Sequence, residues 1–103
     1  MTIRIAQLEQ FVKDDPDDPF NIYALALEYQ KIDIPRALSL FEQLITFHPD
    51  YVPTYYHLAK LYEVERKIAQ ALQTLEKGII VAQRAGDHKA ARELKSVLSE
   101  LAE

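Results

Sequence analysis

Apolar residues return along this chain with the spacing of helices and not of strands. Ile22, Leu25, Ala26 and Tyr29 stand at i, i+3, i+4 and i+7, and Tyr55, Leu58, Ala59 and Tyr62 repeat that stripe. Leu38, Phe41, Leu44 and Ile45 mark a partner helix after the first stripe, and Leu72, Leu75 and Ile79 mark one after the second. Ile5, Leu8 and Phe11 keep the period near the N-terminus, and Ala90, Ala91, Leu94, Val97, Leu98 and Leu101 keep it near the C-terminus. The punctuation between stripes agrees with these limits. Asp18 before Pro19 reads as a cap and a first helical residue, Asp33 can cap a helix that tolerates Pro35 in its first turn, and Gly86 can end a helix just before Asp87 caps the next. The pattern predicts six helices, near residues 3–13, 19–31, 34–47, 53–65, 68–84 and 88–102, and an all-α fold.

The stripes belong to a longer period. Ala37, Leu38, Glu42 and Ile45 return after 34 residues as Ala71, Leu72, Glu76 and Ile79. Tyr23, Leu25, Ala26 and Tyr29 return after 33 as Tyr56, Leu58, Ala59 and Tyr62, and Pro16 returns as Pro49. The one-residue slip therefore lies between Tyr29 and Ala37, in a turn. Ile5, Leu8 and Phe11 precede Leu38, Phe41 and Leu44 by the same 33, so the first helix is the second half of a repeat. A period of this length is the mark of a stacked helical array. Size complementarity explains its small residues: Ala26 and Ala59 let the first helix of each pair approach the second, and Ala37 and Ala71 answer from the other side.

A unit of 34 residues carrying Leu58-Ala59, Tyr62, Ala71 and Leu75 after Pro49 resembles the tetratricopeptide repeat, and the first unit matches through Leu25-Ala26, Tyr29, Ala37, Phe41 and Pro49. It departs from that pattern at Ile22 and Tyr55, where tryptophan is frequent, at Arg66, where a turn glycine is usual, and at Gln83, where a terminal proline stands. The resemblance implies an antiparallel helix-hairpin solenoid of about two units in one domain spanning 1–103: a half-unit helix in 1–15, repeat one in 18–50, repeat two in 51–84 and a capping helix in 87–103. The turn Glu65-Arg66-Lys67, with neither glycine nor a good cap, should fray more readily than the others.

Composition narrows the chemistry. The chain of 103 residues holds 12 basic and 16 acidic groups, a net charge of −4, which disfavours a protein whose affinity comes from neutralising nucleic acid phosphates. Four basic and nine acidic groups fall in residues 1–50, against eight and seven in 51–103. Asp14, Asp15, Asp17 and Asp18 supply much of that asymmetry, but their spacing fails a calcium loop, because its sixth and twelfth positions would hold Pro19 and Leu25, or Phe20 and Ala26. With no cysteine there is no disulfide framework, thiolate metal site or cysteine nucleophile. No apolar run approaches the ~20 residues of a membrane span, and the first ten residues lack the apolar core of a secretory signal, so a cytoplasmic protein is expected.

Catalysis finds no foothold in these residues. There is no phosphate-binding Gly-rich loop, nucleophile elbow or His-Glu-x-x-His, and His48, His57 and His88 have no ligand partners at helical spacing. The expectation is a protein that is not an enzyme and takes no cofactor or metal. The resemblance implies that the first helix of each unit lines a groove for a protein or peptide, placing Tyr23, Leu27 and Gln30 there from unit one and Tyr56, His57, Lys60 and Glu63 from unit two. With the last helix as a third lining element, His88, Arg92 and Lys95 continue the stripe, and the end formed by His57, Lys60, Arg92 and Lys95 is expected to favour acidic groups on the partner. The family's Lys and Asn clamp for a terminal carboxylate meets Tyr23 with Leu27 and Tyr56 with Lys60 here, so that ligand mode is not expected. Self-association is the alternative, a homodimer through an N-terminal edge of Ile3, Phe11 or Val12, Phe20, Tyr23 and Leu27, where an earlier repeat would stack.

Overall fold

A computed structural model describes residues 2–103; Met1, the first residue of the expected half unit, lies outside them. Among the described residues the secondary structure is all helical: α1 Ile3–Asp14, α2 Pro19–Tyr29, α3 Ile34–Phe47, α4 Pro53–Val64, α5 Ile68–Arg84 and α6 His88–Ala102. The limits agree with the sequence pattern to within two residues. The largest difference is at α2, which stops at Tyr29 because the next amides turn to tighter bonds, Lys31 N–H to the Glu28 carbonyl and Ile32 N–H to that of Tyr29.

Capping chemistry fixes most helix starts. The carboxylates of Asp18, Asp33 and Asp87 accept from the backbone N–H of Phe20, Arg36 and Ala90 at 2.9, 3.1 and 3.1 Å. Thr2 does the same for α1, its hydroxyl accepting from Ile5 N–H at 3.0 Å. α4 and α5 begin on Val52 and Lys67 without a side-chain cap. At α4 the preceding turn takes up the first amides, Thr54 N–H reaching the Tyr51 carbonyl and Tyr55 N–H that of Val52, and the Tyr55 hydroxyl donates back to the Pro49 carbonyl at 2.6 Å.

The chain forms two compact units, one ending at His48 and one running Pro49–Glu103. In the first, α1 and α3 each pack on α2. Ile5 and Leu8 of α1, Ile22, Leu25 and Ala26 of α2, and Ala37, Leu40, Phe41 and Leu44 of α3 are buried. Tyr29, placed by its spacing on the core stripe, is only half-buried, and its hydroxyl donates to Glu9 on α1 at 2.8 Å. The Arg36 guanidinium lies 5.6 Å from the centre of the same ring, so one phenol joins all three helices. The hydrogen bond to Glu9 raises the Tyr29 pKa above its ordinary value, with desolvation adding to it.

In the second unit α5 packs on both α4 and α6. Tyr55, Leu58, Ala59 and Tyr62 of α4 are buried, as are Ala71, Leu75, Gly78 and Ala82 of α5 and Ala91, Leu94 and Val97 of α6. Thr54 and Leu61, seven apart on a second flank of α4, are buried as well, although the four-residue stripes leave both out. Thr54 is fully buried and its hydroxyl has no hydrogen-bond partner among the described residues.

The turns α4–α5 and α5–α6 share one hydrogen-bond pattern. At the first, Arg66 N–H reaches the Glu63 carbonyl and Lys67 N–H that of Tyr62; at the second, Gly86 and Asp87 reach Gln83 and Ala82 in the same way. Both need a left-handed residue, with φ of +60° at Arg66 and +74° at Gly86. The missing glycine at Arg66 therefore leaves the turn geometry unchanged and places a side chain in a strained backbone conformation.

Candidate functional site

A cleft of about 440 Å³ opens between the N-terminal halves of α4 and α6, both in the second unit. From the α4 side it is lined by Val52, Pro53, Tyr56 and His57; from the α6 side by Asp87, Lys89, Ala90, Glu93 and Leu94. Its floor is apolar: α4 and α6 both pack on α5 and touch each other little, and Ala90 and Leu94 of α6 line the cleft together with Tyr56 of α4. The Tyr56 and His57 rings meet edge to face with centroids 5.4 Å apart. Burial lowers the His57 pKa below the ordinary histidine value, so the imidazole is neutral at pH 7.

The charges sit at the rim. Asp87, Lys89 and Glu93 are all exposed. Lys89 and Glu93 make no ion pair within 4.0 Å among the described residues, while one oxygen of Asp87 is committed to capping α6.

The sequence-predicted site residues divide between the cleft and places outside it. Tyr56 and His57 line it. Lys60, one turn further along α4, is half-exposed and paired with Glu63 at 3.4 Å, so its charge is answered within the protein. Arg92 and Lys95 are exposed on α6 but do not line the cleft. At roughly 100° per residue, Ala90, Glu93 and Leu94 centre on one flank of α6, and Arg92 and Lys95 centre about 180° away. Tyr23 and Leu27 lie half-buried on α2, in the first unit. The α6 side of the cleft, Lys89, Ala90 and Glu93, is absent from the sequence reading; the signal that could have found it is the flank of α6 next to its buried Leu94 and Val97, on the α4 side.

Nothing in this arrangement resembles a metal centre: among the described residues no three His, Asp or Glu side chains are placed to hold an ion. No described helix is long and apolar enough to cross a membrane.

Paired antiparallel helices repeating every 33–34 residues, with a cleft between successive first helices, define a helical-repeat protein. The tetratricopeptide repeat model matches residues 30–98, and the chain belongs to that family. The tetratricopeptide repeat domain protein of Salinibacter ruber, solved by NMR in solution, is similar at 48% identity with a TM-score of 0.81, over 84% of this chain and 89% of that one. A Bordetella parapertussis protein solved in solution aligns at 26% identity and TM-score 0.82, over 99% and 90% of the two chains. The TPR2B domain of yeast Sti1, solved in complex with pHsp70, shares the fold at 20% identity and TM-score 0.87, over 95% of this chain and 79% of that one. No curated protein matches the chain.

Proposed function

We propose that this chain is a non-catalytic protein-binding module whose cleft between α4 and α6 takes one apolar side chain of a peptide or partner protein. The observation that carries this reading is the cleft itself: about 440 Å³, with an apolar floor of Ala90, Leu94 and the Tyr56 ring inside a charged rim. Its volume falls in the range of ordinary ligand sites, roughly 300–1,000 Å³. Tyrosine is among the side chains enriched at binding hot spots. The peptide complex of the yeast relative supports a peptide as the kind of ligand. Tyr23 and Leu27 hold the repeat positions of Tyr56 and Lys60 within the first unit, and the cleft of the second unit is the site this reading uses. Acidic partner groups, expected from His57, Lys60, Arg92 and Lys95, are not part of it, since burial disfavours the charged form of His57, Lys60 is paired with Glu63, and Arg92 and Lys95 lie on the far flank of α6.

The test is selection of a random dodecapeptide library on phage, followed by binding of the enriched peptides to wild type and to Ala90→Glu. The half-buried Ala90 borders the cleft, so a glutamate there fills it and places a charge on its floor. Loss of binding in that variant, with helicity retained, is the expected result. Equal binding to both forms, or no enrichment at all, removes the cleft as the site.

Self-association is a second reading, favoured by one observation. Ile3, Phe11 and Phe20 on α1 and α2 are 80%, 49% and 58% exposed, a concentration of large apolar surface in a small unit. Sedimentation of wild type and of Phe11→Ser/Phe20→Ser decides it: a dimer lost in the double variant supports the homodimer, and a wild-type monomer at high concentration ends it.

A further inference from the structure

The charges at the cleft are unequal. Asp87 and Glu93 bring two carboxylates to its rim and Lys89 brings one ammonium. The nearest basic residue on α4, Lys60, is held by Glu63. His57 adds no cation near neutral pH, because its burial favours the uncharged ring. The rim is therefore net negative, and Glu93 is its uncommitted carboxylate, exposed beside the Leu94 and Ala90 floor and with no ion pair within 4.0 Å among the described residues. Lys89 precedes Glu93 by one helical turn, the weaker of the two orientations for a pair on one helix, and the two remain apart.

Resting on the reading of the cleft as a peptide site, we infer that its ligand is a segment with an aromatic or aliphatic anchor residue and a lysine or arginine within two positions of it, the anchor filling the floor and the cation meeting Glu93. An anchor lying on Ala90 and Leu94 has Glu93 beside it on the same flank of α6. A neighbouring residue of the ligand thus reaches the carboxylate with no rearrangement of the helices. A carboxylate placed there instead meets two like charges. This is the opposite sign from the preference that Arg92 and Lys95 would confer if they faced the cleft.

The experiment uses the peptides enriched from the dodecapeptide library, each synthesised with Lys, Gln or Glu at the position beside its anchor. Affinities are measured by fluorescence anisotropy in low and physiological salt, and the contact is located by NMR shifts at Tyr56, Ala90 and Glu93. The expected order is Lys over Gln over Glu, with the Lys form roughly two- to fivefold tighter than Gln, as one partly exposed ion pair gives. Added salt narrows the gap, and Glu93→Lys reverses the order. Peptides that bind in the cleft equally well in all three forms, or best with Glu, overturn the inference and leave the cleft reading standing. Peptides that bind without shifting Tyr56 and Ala90 overturn both.

Discussion

Tyr55 and Gly78 are in direct apposition: a Cβ added to Gly78 would stand 2.5 Å from the Tyr55 Cβ and 2.8 Å from its Cγ. The first repeat holds Ile22 and Leu44 at these positions, both buried, so the second repeat has exchanged two middle-sized residues for one large and one minimal. The exchange lets α5 approach α4 closely against the fully buried tyrosine, whose hydroxyl reaches the Pro49 carbonyl.

Gly78→Ala is expected to destabilise the protein, although alanine is the better helix former by about 1 kcal/mol. The obstructing atom is a Cβ fixed to the backbone, so the helices themselves must separate, an overpacking cost of about 1–3 kcal/mol. Urea unfolding measures the difference. Tyr55→Leu in the same background restores nothing, because leucine keeps the Cβ that causes the clash.

Arg66→Gly should stabilise by about 1 kcal/mol. Arg66 holds φ +60° where the matching turn has Gly86, and the left-handed conformation costs a side-chain-bearing residue roughly 1–2 kcal/mol, partly offset by the extra freedom glycine has when unfolded. An increase in the thermal midpoint checks it, and a fall would mean that the arginine stem is packed against the turn.

Thr54→Val removes a hydroxyl that is fully buried and without a partner. An unsatisfied buried polar group costs about 1–3 kcal/mol, so the near-isosteric valine should raise stability, with chemical denaturation as the readout. Thr54→Ser keeps the hydroxyl, loses the methyl group and should lower it.

Acid should weaken the second unit through His57. Its folded pKa lies below the unfolded value of about 6.5, so the unfolded chain binds the proton more readily. The stability tied to the neutral ring is complete above about pH 6.5 and is lost as pH falls from there through the folded pKa. NMR titration of the His57 ring should show a midpoint below that of an unstructured histidine. His57→Gln should flatten the fall in urea midpoint between pH 7 and pH 5.

Much of the fold is readable in the chain because its signals are local. Asp18, Asp33 and Asp87 announce helix starts by chemistry that acts over three residues, and the 33- and 34-residue returns fix the pairing of helices. Gly78 was not legible as a contact, because its role depends on what α4 places opposite it. Leu61 and Thr54 lie on a flank of α4 that a four-residue stripe does not represent. The cleft shows a sharper limit. Continuing the stripe of Tyr56 and Lys60 onto α6 selects His88, Arg92 and Lys95, since equivalent positions on parallel helices point in the same direction. Two neighbouring helices enclose a space by turning unlike flanks toward each other, and α6 answers Tyr56 with Ala90 and Glu93.

The phenol of Tyr29 has an optical consequence. The chain contains no tryptophan, so its near-ultraviolet emission comes from six tyrosines, and a phenol that donates to a carboxylate is a dim emitter because the excited ring passes its proton to that acceptor. Tyr29 is such a ring in the first unit, and it brightens when Glu9 leaves. Tyr55, bonded to a carbonyl and sealed from water, reports on the second through its circular dichroism. Recorded in one melt, the two signals reveal whether both units let go at the same temperature.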